Sequence, residues 1–246
     1  MIRVKWTAIL LLVSLFLTGC LYPDQEVAEN QVPYKEQIQS VQSAINQFKE
    51  DEGGILPIKT KPAETPYYQK YLVDFKKIAP RYMAEPPGNA FETGGVFQYV
   101  IIDEETNPTV KIFDVRIAQE IQDINLRLNA YRQKNGYPPY KERLSDEVFT
   151  LDYEKMGLKE APTVLSPYSQ KQLPIVINSD IELYVDYTAD LYDALEKKEK
   201  AYKPGEDIRS VLTDDSEFVP AYSLPYTIDD KTKKPVFLSV KAKTPK

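Results

Sequence analysis

The sequence predicts an α+β protein of two tandem related lobes, each a helix followed by antiparallel strands, the second lobe enlarged by an insertion. Three observations carry this. Apolar Ile38, Val41, Ile45 and Phe48 recur at spacings of 3, 4 and 3, one face of an α-helix, and the pattern returns 83 residues later as Ile121, Ile124, Leu128 and Tyr131. Both runs stop alike: Gly54 and Gly136 suit the left-handed residue that closes a helix, and Pro57 and Pro138–Pro139 block continuation. An Asp-aromatic motif then repeats, "YLVDFKKI" against "FTLDYEKM", matching Asp74 to Asp152.

The elements follow in order. Residues 1–19 read as a signal peptide: Arg3 and Lys5 precede an apolar run from Thr7 to Leu17, too short to span a hydrocarbon core of ~30 Å comfortably. The run ends in Leu17-Thr18-Gly19-Cys20, which holds the single cysteine of the chain. This resembles the lipobox of bacterial lipoproteins, which implies a diacylglyceryl thioether on Cys20 after cleavage before it. The competing readings are an ordinary secretory signal with an incidental cysteine and a buried core thiol. Two acyl chains anchor stably where one is marginal, at about 0.8 kcal/mol per buried CH₂. Residues 20–33 form the lipidated cysteine and a tether. Extended at ~3.3 Å per residue, it reaches about 40 Å.

The first lobe spans 34–117 and the second 118–246. In the first, "YVIIDEETNPTVKIF" (Tyr99–Phe113) reads as strand, polar turn, Pro and strand, and "YTIDDKTKKPVFLSV" (Tyr226–Val240) repeats that order loosely. Within the second, "LPIVINSDIELYVDY" (Leu173–Tyr187) predicts a hairpin about Asn178-Ser179-Asp180. Thr188–Lys203 predicts a helix capped by Thr188 or Asp190 and stopped by Pro204-Gly205. The Pro-interrupted "VPAYSLPY" (Val219–Tyr226) predicts an edge or loop, and Lys241–Lys246 a frayed tail.

Composition narrows the function. At 42% hydrophobic and 28% charged residues, 246 residues suffice for a folded core. The net charge of −6, about −8 once Arg3 and Lys5 leave with the signal, disfavours nucleic acid as a partner. With no histidine, Ser-His, Cys-His and His-metal chemistry are excluded, and no cofactor or metal is expected. One cysteine makes no internal disulfide.

The remaining candidates are few. Asp74 and Asp152 could form a carboxylate pair with one raised pKa, or be capping residues common to both lobes. Asp103-Glu104-Glu105 and Asp214-Asp215-Glu217 could attract Ca²⁺ but lack EF-hand spacing, and read as solvated turns. Gly53-Gly54 and Gly94-Gly95 lack the surroundings of a phosphate-binding loop. Tyr22, Tyr67, Tyr68, Tyr71, Tyr82, Tyr137, Tyr140, Tyr168, Tyr222 and Tyr226 lie near prolines or in predicted loops. They suit either a thin core's rim or a face that stacks on wall polymer or protein.

Lipobox, repeat and Tyr/Pro-rich ending together resemble the YphF-type lipoproteins of Bacillus-like bacteria. The resemblance implies attachment to the outer leaflet of the plasma membrane and carries no established activity. The expected function is a non-enzymatic binding or structural lipoprotein, its partners the membrane through the lipid and a wall polymer or another surface protein. The alternatives are the solute-binding component of an ABC-type importer and, third, a carboxylate-based enzyme.

Overall fold

The computed structural model describes residues 32–198 and 202–238. Cys20, the signal peptide, nearly all of the tether and the 241–246 tail therefore lie outside the described residues. The chain divides into units 1–37 and 38–246. Of the first, only the opening of helix α1 (Val32–Asp51) is described; all that follows concerns the second.

The fold is α+β, and one order of elements recurs along it. In the first module, the face of α1 predicted from its periodicity is buried: Ile38, Val41, Ala44, Ile45 and Phe48. Gln42 fixes the helix to the strands, its Nε2 donating to Pro108 O (3.0 Å) and its Oε1 accepting from Val110 N (2.7 Å). After the helix the chain runs out through Pro57–Lys59. It returns through a short helix α2 (Tyr67–Lys70) and a second α3 (Phe75–Ile78), then enters the hairpin β1 (Phe97–Ile102) and β2 (Thr109–Asp114). Ile58 bridges Val73, and Leu72 bridges Val100. The hairpin pairs Tyr99 with Ile112 and Ile101 with Val110. β1 is buried along its whole length because it lies between β2 and the 71–73 segment.

The second module repeats this. Helix α4 (Arg116–Asn135) buries Ile117, Ile121, Ile124 and Leu128 and closes at Gly136, whose φ of 82° is cheap only for glycine. β3 (Tyr140–Arg143) and β4 (Val148–Leu151) pair Tyr140 with Leu151, the counterpart of the Ile58–Val73 bridge. The Asp74 amide donates to Pro57 O, and the Asp152 amide to Pro139 O, both at 2.7 Å. β5 (Thr163–Leu165) and β6 (Gln172–Asn178) come next, then β7 (Leu183–Val185). The β6–β7 hairpin pairs Ile175 with Val185 and Ile177 with Leu183, the spacing seen in β1–β2, and turns at Asn178–Glu182 as predicted. The sheet order is β3-β4-β6-β5, with β7 also on β6.

The enlargement of the second lobe resolves into a third, abbreviated pass. Helix α5 (Thr188–Lys197) leads to a single turn α6 (Ser210–Thr213) and the hairpin β8 (Tyr226–Ile228) with β9 (Pro235–Phe237). The Ile208 amide donates to Tyr226 O at 2.9 Å, as the Val73 amide does to Tyr99 O at 3.0 Å. Tyr226 pairs with Phe237 and Ile228 with Pro235, so the predicted echo of Tyr99–Phe113 is again strand, turn and strand, but in a tighter register: Pro235 is paired where the matching Pro108 lies outside the ladder.

The cap prediction for α5 needs correction. Thr188 is already helical, and its amide donates to Asp186 Oδ1 at 2.9 Å, as the Arg116 amide does to Asp114 Oδ1 at 2.8 Å in α4. Asp190 is 2% exposed and bonds elsewhere. The regular helix stops at Lys197, ahead of Pro204-Gly205.

One connector joins the modules. Ser216–Tyr222 lies beside β2, with the Ile112 amide donating to Glu217 O (2.9 Å) and the Val219 amide to Ile112 O (3.0 Å). It then reaches β7, where the Val185 amide donates to Tyr222 O at 2.8 Å. Pro220, which has no amide proton to give, limits this stretch to such isolated bridges. Val219 and Ala221 complete a small core with Tyr68, Leu72, Val100, Ile102 and Phe113. A larger one gathers α4, the second sheet, α5 and β8.

Candidate functional site

The candidate site is a groove on the first module, about 390 Å³ in volume, where the β1–β2 hairpin, the first turn of α4 and Tyr222 of the connector meet. Cross-strand register places Gln98 opposite Phe113 on one face of the hairpin. Phe113 packs edge-on against Tyr222, ring centroids 6.4 Å apart at 83°. Leu72 and Ala118 add apolar surface; Gln69, Gln119 and Thr65 add amides and a hydroxyl.

Phe91 forms one wall and remains 55% exposed. It sits on a 3-10 turn (Phe91–Thr93) inside a tightly bonded loop. Thr93 Oγ1 donates to Pro87 O (2.7 Å) and the Phe97 amide to Asn89 O (3.1 Å). Gly95 packs so closely that a Cβ there would stand 2.1 Å from the carbonyl of Asn89. The loop is thus rigid around an aromatic ring that it leaves in water. Exposed large apolar residues occur elsewhere on the chain, Ile55 and Leu126 among them; Phe91 differs in standing at the wall of a groove beside Phe113 and Tyr222.

Two polar features point the same way. Gln98 is 8% exposed, its Nε2 donates to Glu92 Oε1 at 3.2 Å, and its Oε1 accepts from no described residue. Glu92 in turn is held by Lys59 Nζ at 2.5 Å. Tyr222 has a φ of +57°, rare for a bulky residue and costing about 1–2 kcal/mol. Gln69 Oε1 accepts from the Tyr222 amide at 3.2 Å. Burial raises the Tyr222 hydroxyl pKa, against a lowering by its bond with Gln69.

A second cleft, about 360 Å³, occupies the corresponding place in the second module, beside α5. Its chemistry differs. Asp190 lines it, accepting from Ser166 Oγ at 2.7 Å and Ser169 Oγ at 2.6 Å, and the Ser166 hydroxyl accepts from the amides of Tyr168 and Ser169 at 3.0 Å. Burial raises the Asp190 pKa; the two serine bonds pull against it. Lys198 bridges Asp214 at 3.2 Å and Asp215 at 2.9 Å. A third cleft, at the end of α4, is lined by Arg127, Lys134 and Lys155, the last bound to Asp152 at 2.7 Å.

The residues singled out from sequence disperse. Asp74 caps α3, accepting from the Lys76 amide at 3.3 Å, and lines none of these clefts. Asp152 is occupied by Lys155, whose hydrogen bond lowers its pKa. Asp103–Glu105 form the β1–β2 turn, where the Asp103 amide donates to the Tyr67 hydroxyl at 2.7 Å. Among the described residues no three His, Cys, Asp or Glu side chains are grouped to hold a metal ion. Of the tyrosines, Tyr68 and Tyr226 are buried, Tyr140 stacks on Phe149 at 4.5 Å, Tyr82 meets Phe48 edge-on, and Tyr137 is exposed. Tyr67 and Tyr71 pack together near the hairpin turn. Of these, only Tyr222 lines the groove; Tyr22 lies outside the described residues. Phe91, Gln98 and Gln69 escaped the sequence reading. The one local signal was "NAFETGG", a lone aromatic among turn-forming residues.

Comparison with known proteins bears on this part of the chain. No curated protein and no solved structure matches it. Residues 34–114 match the model of the YphF family N-terminal domain, a stretch that ends with β2. Gln69, Leu72, Phe91, Gln98 and Phe113 lie inside it; Ala118, Gln119 and Tyr222 lie beyond. Over the segment that supplies most of the groove, the chain is similar to the N-terminal domain of the YphF family.

Proposed function

We propose that this chain is a lipid-anchored surface protein that binds rather than catalyses, held by Cys20 at the outer face of the plasma membrane. The groove on the first module is its binding site. The observation that carries this is Phe91, 55% exposed on a loop whose packing holds it there. An exposed ring held by its loop beside amide side chains that can still bond is the arrangement of a recognition surface, since little side-chain entropy is lost on contact. The charged n-region, short apolar run and Leu17-Thr18-Gly19-Cys20 support the anchor, and the tether of about 40 Å gives the domain reach above the headgroups.

The test places a photo-crosslinking amino acid at position 91 in living cells, with Cys20→Ala in parallel. Adducts with a surface component are expected from the anchored protein, and Cys20→Ala should release the chain or stall its processing. A Cys20→Ala protein that fractionates with membranes at mature size would remove the anchor. Adducts from exposed Leu144 but none from position 91 would remove the site. Capture of an importer's membrane subunit would move the reading to the solute-binding class.

A further inference from the structure

We infer that the groove is a sugar site, taking one or two rings of an uncharged glycan against Phe91, with hydroxyl or acetamido groups bonded to Gln98 and its neighbouring glutamines. This rests on the binding function proposed above and specifies its ligand.

Charge is the first argument. Lys61 is the single Asp, Glu, Lys or Arg among the lining residues, and the nearby Glu92 is already committed to Lys59 and Gln98. A charged ligand would leave its own charge poorly matched in this partly dry site. Hydrogen-bonding capacity is the second. Gln119 brings an amide with donors and an acceptor, Gln69 and Gln98 amides with one group already bonded and capacity to spare, and Thr65 a hydroxyl that does both. Sugar hydroxyls have the same dual character. The Oε1 of Gln98 accepts from no described residue, which leaves it open to a ligand hydroxyl or acetamido N–H.

The strand edges supply the third argument and separate a sugar from a peptide. An extended peptide binds by adding to an open edge. Here β1 is covered by the 71–73 segment, through Val73 N to Tyr99 O and Ile101 N to Tyr71 O, at 3.0 and 2.9 Å. β2 is covered by 217–219. What the hairpin leaves free is a face, and a face of aromatic rings and amides suits a sugar ring, which has one apolar side and an equatorial fringe of hydroxyls. The volume, about 390 Å³, sits at the small end of ligand sites, in keeping with one or two rings.

The test uses the full chain in a detergent without a sugar head group. Its probes are the β-1,4-linked tetramer of N-acetylglucosamine, maltotetraose and neutral tetra-alanine, titrated by calorimetry and ligand-observed NMR. Saturable binding of at least one oligosaccharide is expected. Phe91→Ala and Gln98→Leu should each weaken it about tenfold or more, while Leu126→Ala, exposed on α4, leaves it unchanged. Phe91→Ala alters no core contact, and an unchanged Tm for each variant separates lost binding from lost folding. Three results overturn the assignment: no oligosaccharide saturates, both groove variants bind as the parent does, or tetra-alanine binds as tightly as the sugars. Should the sugars fail while position 91 still crosslinks in cells, the sugar assignment falls and the binding function stands. Should both fail, both fall.

Discussion

In the first module, the connector leading into the hairpin holds Phe91 out in solvent; in the second, the corresponding connector, residues 166–171, is drawn inward and buries the hydroxyl of Tyr168. The frameworks around the two connectors agree closely. Both hairpins keep the same cross-strand spacing, and both are followed by an aspartate that accepts the amide of the next helix, Asp114 for α4 and Asp186 for α5. Two residues past the bonded amide stands Ala118 in α4 and Asp190 in α5. Asp190 reaches Ser166 and Ser169 and pins the connector; a methyl group cannot. One helix position therefore separates a groove lined by aromatic rings and amides from a cleft of similar size lined by a carboxylate bonded to two serines. The repeat preserves what builds the module, and the connectors and first helical turns vary.

The largest expected effect tests whether the two modules carry comparable weight. Ile45 in α1 and Leu128 in α4 occupy equivalent places and both are fully buried. Truncation to Ala at either should cost about 2–5 kcal/mol in denaturant unfolding, with a shared transition. A variant that loses less than about 1 kcal/mol at one position only would show that this module is loosely packed and that the equivalence is formal.

A smaller loss is expected from Gly95→Ala. The new Cβ would meet the Asn89 carbonyl at 2.1 Å, a contact with backbone that no rotamer relieves. Roughly 1–3 kcal/mol should be lost, with Phe91 displaced from the groove. At Gly157, in the second module's turn, a Cβ meets nothing within 4 Å, so the cost there is limited to its φ of 76°. Unfolding midpoints that fall equally for Gly95→Ala and Gly157→Ala would deny Gly95 its special role.

These contrasts explain what the sequence could and could not disclose. Helix faces were legible because Ile38 to Phe48 and Ile121 to Leu128 repeat at the helical period, a purely local property. The hairpin about Asn178 was legible through its β-branched residues and turn polar groups. The groove was not, because its parts are distant in the chain: Gln69 and Tyr222 are 153 positions apart. Gln98 interrupts an apolar run, Val96 to Ile102, where a lone glutamine is expected to turn toward water. It is buried instead because strands cover both edges and Glu92 folds over it. Asp190 was read as a cap since caps favour aspartate, and tertiary contact with two serines outweighed that preference.

The smallest effect concerns that aspartate and is read through pH. Burial raises the Asp190 pKa above its ordinary 3.8; bonds from Ser169 and Ser166 lower it, Asp193 raises it and Lys171 lowers it, with the net direction upward. Between 3.8 and the raised value, the folded chain keeps a proton that the unfolded chain has released, so this group's contribution to stability falls as pH rises through that window. Asp190→Asn removes the titration and leaves an oxygen for one serine and an amide for the other. The variant should therefore lose that part of the slope and, at neutral pH, lie within about 1 kcal/mol of the parent. The comparison is sharpened by the reciprocal change: Ala118→Asp in the first module has no serine pair to accept from, and should narrow the groove without acquiring the slope. Identical pH profiles for the parent and Asp190→Asn from pH 3.8 upward would mean that the carboxylate is ionised throughout. The closed connector would then owe its position to the packing of Tyr168 against Tyr187, ring centroids 6.1 Å apart, and not to the buried charge site.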